Sequence, residues 1–122
     1  MGIKKLTDIR DLTAGYVAAF NARDLDKVAV YLAEGFELTD PDVTALTPKN
    51  KVLAYIRELF EAHEFFSLHA RAILVDGDTS VVHFTLTLGA QVIDGVDIIK
   101  WKAGQMINMK AYITPRHLGP IL

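Results

Sequence analysis

The sequence predicts an α+β domain in which three short helices precede a curved antiparallel sheet. Two observations carry this. Apolar residues recur every three or four positions as far as about residue 63, the helical period, and alternate in twos thereafter. Turn signals at Asp76-Gly77-Asp78 and Ala103-Gly104 then divide the second half into long hairpins.

Leu6, Ile9, Leu12, Tyr16 and Phe20 place a first helix over roughly residues 5–21, ended by Asn21-Ala22-Arg23. Asp24 caps a short second helix whose Leu25, Val28 and Leu32 face inward. Gly35 releases the chain into a strand from Phe36 to Asp40, which Pro41 stops. After a loop over residues 41–48, Thr47-Pro48 reads as a cap with proline in the first turn. The third helix runs to about residue 63, with a stripe of Val52, Ile56, Leu59, Phe60 and His63. Four strands follow, over Phe66–Val75, Thr79–Leu88, Gln91–Lys102 and Gln105–Ile113. In the second of these, Val82, Phe84, Leu86 and Leu88 share the core face, while Val81, His83, Thr85 and Thr87 share the other. Helices gathered on one side of a curling sheet would enclose a conical pocket. Its wall is expected from Phe20, Phe36, Leu38, Ile56, Phe60, Phe84, Leu86, Leu88, Ile99, Trp101, Met109, Ala111 and Ile113.

Three polar residues stand where apolar ones are expected. Tyr16 lies on the first helix's apolar stripe, Asp40 has the parity of Phe36 and Leu38, and Asp97 has that of Ile93, Ile99 and Trp101. An unpartnered buried carboxyl costs several kcal/mol or takes up a proton. Two such carboxyls and a phenol in one cavity can do acid–base chemistry. Each also has a plainer role: a core tyrosine bonded to a backbone carbonyl, a turn aspartate before Pro41, and an edge-strand aspartate paired with Lys100 or Lys110. An adjacent carboxylate, Asp94, points away from Asp97 if the strand is regular, but Asp94-Gly95 is also a candidate bulge.

The 122 residues, 51% of them hydrophobic, suit one domain over 1–122 with room for a core and a cavity. A net charge of −2 with scattered basic residues supplies no field for nucleic acid or acidic membranes. With no cysteine there are no disulfides and no thiolate chemistry, in keeping with a cytoplasmic protein. No apolar run is long enough to span a membrane, and Met-Gly-Ile-Lys-Lys-Leu-Thr-Asp is too polar for a signal peptide. His63, His69, His83 and His117 lack metal-ligand spacing, so neither metal nor cofactor is expected.

The segment from Tyr16 to Asp26, then Phe36-Glu-Leu-Thr-Asp-Pro, resembles the start of bacterial ketosteroid isomerases. The likeness continues through Tyr55-Ile-Arg-Glu-Leu-Phe, Phe84-Thr-Leu-Thr-Leu, Val96-Asp-Ile-Ile-Lys-Trp and Met109-Lys-Ala, covering roughly residues 10–113. These enzymes belong to the nuclear-transport-factor-2-like, or SnoaL-like, superfamily of cone-shaped, cystatin-like domains. The resemblance implies a steroid delta-isomerase-like enzyme that moves a proton next to a ketone. Asp40 would be the base, and Tyr16 and protonated Asp97 the oxyanion hole. It also implies an apolar ketone-like ligand and a homodimer through the outer sheet face, including His83, Thr85 and Thr87. Polyketide cyclisation and a non-catalytic ligand-binding dimer are the alternatives. Where the family often has a tyrosine supporting the oxyanion tyrosine, this chain has Phe60; Tyr55 lies about 140° round the helix from it and does not substitute.

Overall fold

The computed structural model describes residues 8–115. Helix α1 (Ile9–Asn21) starts where the Asp8 carboxylate accepts the N–H groups of Arg10 and Asp11; the expected first turn from residue 5 lies outside the described residues. The residues that follow Phe20 tie the end of this helix to other elements. The Asn21 side-chain oxygen accepts the Leu68 N–H at 2.8 Å. The Arg23 guanidinium donates to the carbonyls of Phe60, His63 and Glu64 at 3.2, 2.6 and 3.0 Å, and lies 5.5 Å from the Phe66 ring centre. Asp24 caps helix α2 (Leu25–Tyr31).

Strand β1 (Leu32–Thr39) follows α2 without a loop. It begins four residues before the expected Phe36. Leu32, expected on the helix face, is fully buried against the sheet opposite Met106, and a register shift between Leu32 and Glu37 absorbs the Gly35 region. Helix α3 (Lys49–Ala62) has Pro48, not Thr47, at its N-cap and no side-chain cap. The Thr47 hydroxyl is used elsewhere: it donates to the Gly35 carbonyl at 3.3 Å, holding the loop to β1.

Strands β2 (Phe66–Asp76), β3 (Thr79–Leu88), β4 (Gln91–Lys102) and β5 (Gln105–Pro115) match the four expected strands to within a residue or two. Gly77 takes φ +60° in one turn, and Ala103 and Gly104 take φ 51° and 81° in the other, the left-handed pair that suits a two-residue hairpin. The sheet order is β1-β5-β4-β3-β2. The hairpin strands are antiparallel as expected, but β1 joins β5 in parallel, so the five-stranded sheet is mixed. No turn links β1 to β5, so chain connection leaves their direction free. In the register observed, Leu38 lies beside Met109, both buried on the inner face. The outer edge of β1 is covered in turn by a two-way backbone pairing of Leu38 with Leu46. Among the described residues no helix is long and apolar enough to cross a membrane.

A buried hydroxyl chain fixes α1 to the sheet. Thr13 Oγ1 lies 2.6 Å from the Ile9 carbonyl and 2.8 Å from Ser80 Oγ, and Trp101 Nε1 donates to Ser80 Oγ at 2.9 Å. The carbonyl can only accept, so the Thr13 proton goes there. Ser80 therefore donates to Thr13 while accepting from Trp101. Three polar groups are thus satisfied in the core, and Tyr16 is held one turn beyond Thr13.

Gly95 marks the tightest approach in β4. A Cβ there would come within 2.6 Å of Phe84 Cζ, 2.8 Å of the Tyr112 carbonyl oxygen and 2.9 Å of Ile113 Cγ2. Gly95→Ala is expected to destabilise the protein by about 1–3 kcal/mol, the usual range for overpacking. Urea denaturation measures this; an unchanged midpoint would show that the neighbours yield freely.

Candidate active site

Helices α1 and α3 face the concave side of the sheet across a cavity of about 520 Å³. Helix α1 contributes Tyr16 and Phe20, and β1 contributes Phe36 and Leu38 with Asp40 just beyond its end. Helix α3 contributes Ile56, β3 contributes Phe84, Leu86 and Leu88, and the last two strands contribute Asp97, Met109, Ala111 and Ile113. The three polar residues singled out in the sequence therefore line one largely apolar cavity.

Three expected wall residues do not. Phe60 is turned into an aromatic cluster, with ring centres 5.1 Å from Phe20 and 5.3 Å from Phe66. Ile99 and Trp101 are buried in the core beyond the cavity floor, where Trp101 packs edge-on to Tyr31 and bonds Ser80. Strand parity gives their face correctly, but parity says nothing about how far along a strand the cavity extends.

Asp97 is enclosed by apolar groups. It pairs across the sheet with Val82 and Ala111, and its same-face neighbours along β4 are Gly95 and Ile99. The β3–β4 ladder runs through Asp94 and Gly95 without a register shift, so there is no bulge and Asp94 points to the outer face. There it accepts from the Thr85 hydroxyl at 3.1 Å. Neither Lys100 nor Lys110 pairs with Asp97; both are exposed. Among the described residues none hydrogen-bonds the Asp97 carboxyl. Burial, and secondarily the charge of Asp40, pushes its pKa up to about 7.

Tyr16 is buried, 2% exposed. Burial first, and then the nearby Asp97 charge, holds its phenol above the ordinary range, so it remains a hydrogen-bond donor. Among the described residues its hydroxyl bonds only the Met109 thioether, at 3.9 Å, and sulfur is a weak acceptor. A ligand oxygen would be a better partner than the one it has.

Asp40 is both a turn residue and a wall residue. Its Oδ1 accepts the N–H groups of Asp42 and Val43 at 2.8 and 2.9 Å. Its Oδ2 accepts the Tyr55 hydroxyl at 2.7 Å. Tyr55 does not support Tyr16, as its position on the helix implies, but it does touch the site. The spacing Val52–Tyr55–Leu59 is an i, i+3, i+7 stripe and carries the signal that Tyr55 faces the cavity. Asp42, Glu58, Leu59, His63 and Gln91 also line the cavity. Leu59 and His63 belong to the α3 stripe read from the sequence, whereas Asp42, Glu58 and Gln91 are missed because no apolar period marks them. His69 and His83 are exposed and away from it, and His117 lies outside the described residues.

The SnoaL-like domain model matches residues 13–109, most of the chain. This protein belongs to the SnoaL-like family. Solved structures agree with this SnoaL-like fold. An NTF2-like protein of unknown function from Burkholderia xenovorans superposes with a TM-score of 0.79 at 14% identity, covering 99% of this chain and 92% of that one. A protein from Kribbella flavida, named "putative ketosteroid isomerase", gives 0.77 at 23% identity, covering 91% and 81%. A "putative SnoaL-like polyketide cyclase" from Shewanella denitrificans gives 0.73 at 15% identity, covering 86% and 89%. At these identities the likeness shows the NTF2-like α+β fold. No curated protein sequence matches this SnoaL-like chain significantly.

The buried carboxyl makes stability depend on pH. Folded Asp97 keeps its proton up to about 7, whereas the unfolded chain loses it near 3.8. The stabilisation is therefore complete below about pH 4 and is lost as pH rises through about 7, amounting to about 4 kcal/mol at 1.36 kcal/mol per pH unit. Asp97→Asn removes this slope. Urea denaturation from pH 4 to pH 9 should show the variant gaining on the wild type by about that amount, and a constant difference would mean that Asp97 titrates normally.

Proposed function

We propose that this SnoaL-like protein is a small-molecule isomerase that shifts a double bond by removing a proton next to a ketone. The observation that carries the reading is the pairing, in one apolar cavity, of a poorly partnered buried phenol with a carboxyl that burial keeps protonated near neutral pH. Moving a proton from carbon needs a base and a means of holding the enolate oxygen. Asp40 is the base. Tyr16 and protonated Asp97 donate to the developing oxyanion, where preplaced donors act most strongly because little water competes. Phe20, Phe36, Phe84 and Leu86 accommodate the apolar body of an enone-like or steroid-like substrate.

Asp40→Asn should abolish turnover of a β,γ-unsaturated ketone and leave intact the binding of a naphthol or phenolic steroid, which mimics the enolate. Asp97→Leu should weaken both, by about 2–4 kcal/mol in transition-state stabilisation. An Asp40→Asn variant with undiminished turnover would refute the assignment of the base. Wild-type binding of the naphthol without turnover of any such ketone would favour a carrier. Polyketide cyclisation also proceeds through an enolate and would be recognised by ring closure of a poly-β-ketone.

The proposed working form is a homodimer joined through the outer sheet face. His83 and Tyr112 are exposed on that face, Ile98 is 39% exposed, and Thr85 and Thr87 flank them. This surface, β-branched at Thr85, Thr87 and Ile98 and carrying charges of both signs at Asp94, Lys100 and Lys110, suits a self-complementary contact. Sedimentation at tens of micromolar should give twice the chain mass, and a monomer would rule the contact out.

A further inference from the structure

The carboxylate of Asp40 has more partners than a free base requires, and their arrangement identifies the atom that reacts. Each carboxylate oxygen offers about two lone-pair directions. Both at Oδ1 are taken by the Asp42 and Val43 N–H groups, which belong to the turn that closes with the Asp40 N–H donating to the Val43 carbonyl at 2.9 Å. At Oδ2 one direction is taken by the Tyr55 hydroxyl, at 2.7 Å. Among the described residues nothing takes its remaining acceptor direction.

We infer that Asp40 Oδ2 is the atom that carries the substrate proton, and that Tyr55 is a positioning residue that holds this oxygen toward the cavity. This rests on the isomerase reading above and adds to it a reacting atom and a residue with an assigned task. The step balances within the substrate and Asp40. The C–H bond next to the ketone breaks, its proton bonds to Oδ2, its electron pair forms the enolate C=C bond, and the C=O π pair moves onto the ketone oxygen, held by Tyr16 and Asp97. The proton then passes from Oδ2 to the distal carbon, the double bond shifts, and the carboxylate is restored.

Tyr55 affects the two halves differently. Its O–H bond is stronger to a carboxylate than to a carboxylic acid, because hydrogen bonds to ionised acceptors are roughly twice as strong. It therefore opposes uptake of the proton and favours its delivery. Together with the Asp42 and Val43 N–H groups at Oδ1, it stops the carboxylate from turning about its Cβ–Cγ bond, so the oxygen that takes the proton is the one that returns it. Tyr55 can do this over a wide pH range, since burial, its bond to Asp40 and the charges of Asp40 and Asp42 keep its phenol protonated. The tyrosine comes from α3 and the aspartate from the end of β1, so the contact also locks the cavity's two walls together.

The test compares the wild type with Tyr55→Phe, which keeps the ring and removes only the hydroxyl. A β,γ-unsaturated ketone deuterated at the carbon to be deprotonated is converted in ordinary water. The variant is expected to lose about tenfold or more in kcat, as small misplacements of a reacting group do. It should keep its affinity for a naphthol, which contacts Tyr16 and Asp97. The fraction of deuterium retained at the distal carbon should also fall, because a loosened carboxylate exchanges its proton with water before delivering it. Unchanged kcat and unchanged retention would overturn the role of Tyr55. A drop in naphthol affinity parallel to that in kcat, or a lowered Tm with full retention, would overturn it in favour of a structural role. Absence of any turnover by the wild type is the separate outcome that removes the isomerase reading itself, and the inference with it.

Discussion

The Asp97 carboxyl lies between Val82 and Ala111 with no hydrogen-bond donor among the described residues, and the chemistry proposed for the cavity depends on it. Removing a carboxylate from water without a partner is costly enough that the group keeps its proton instead, and this is why Asp97 titrates near neutrality. Protonation changes what the residue can do: an acceptor becomes a donor. The same burial acts on Tyr16 in the opposite functional sense, preserving the donor it already has. Two donors facing an apolar cavity, with no good acceptor bonded to them among the described residues, suit an oxyanion.

The rest of the fold maintains this arrangement. The Trp101–Ser80–Thr13 chain fixes α1 to β3 and β4 one turn before Tyr16. Asn21 and Arg23 fasten the end of α1 to β2 and to the last carbonyls of α3. Gly95 lets the Phe84 ring and β5 close over β4 beside Asp97. At the other wall, Asp40 is held by its own turn and by Tyr55, so the two carboxyls are kept in unlike surroundings: Asp97 among apolar groups, Asp40 among three donors. That difference suits the separate roles proposed for them.

Much of this is legible in the sequence. Strand parity places Asp97 and Asp40 inward, helical period places Tyr16 on the buried stripe, and Gly77 and Gly104 mark the hairpins. The rest depends on tertiary facts that parity and period do not encode. The depth of the cavity, not its facing, excludes Ile99 and Trp101. The parallel direction of β1 is not encoded by its alternation, because either direction can bury Leu38 beside Met109. Thr47 reads as a cap because Thr-Pro often opens a helix, yet its hydroxyl is taken by Gly35. Tyr55 has the right spacing but becomes interpretable only when the Asp40 turn brings its carboxylate within reach.

On the proposed function, Asp97 is a donor beside Tyr16 at neutral pH. Carboxyl-carbon NMR of selectively ¹³C-labelled aspartate, assigned with Asp97→Asn, measures this directly. The expected result is an Asp97 midpoint near 7 in the free protein, moving higher when a naphthol oxygen occupies the cavity and needs the proton. An Asp97 signal that titrates in the ordinary aspartate range and is unmoved by the naphthol would contradict it.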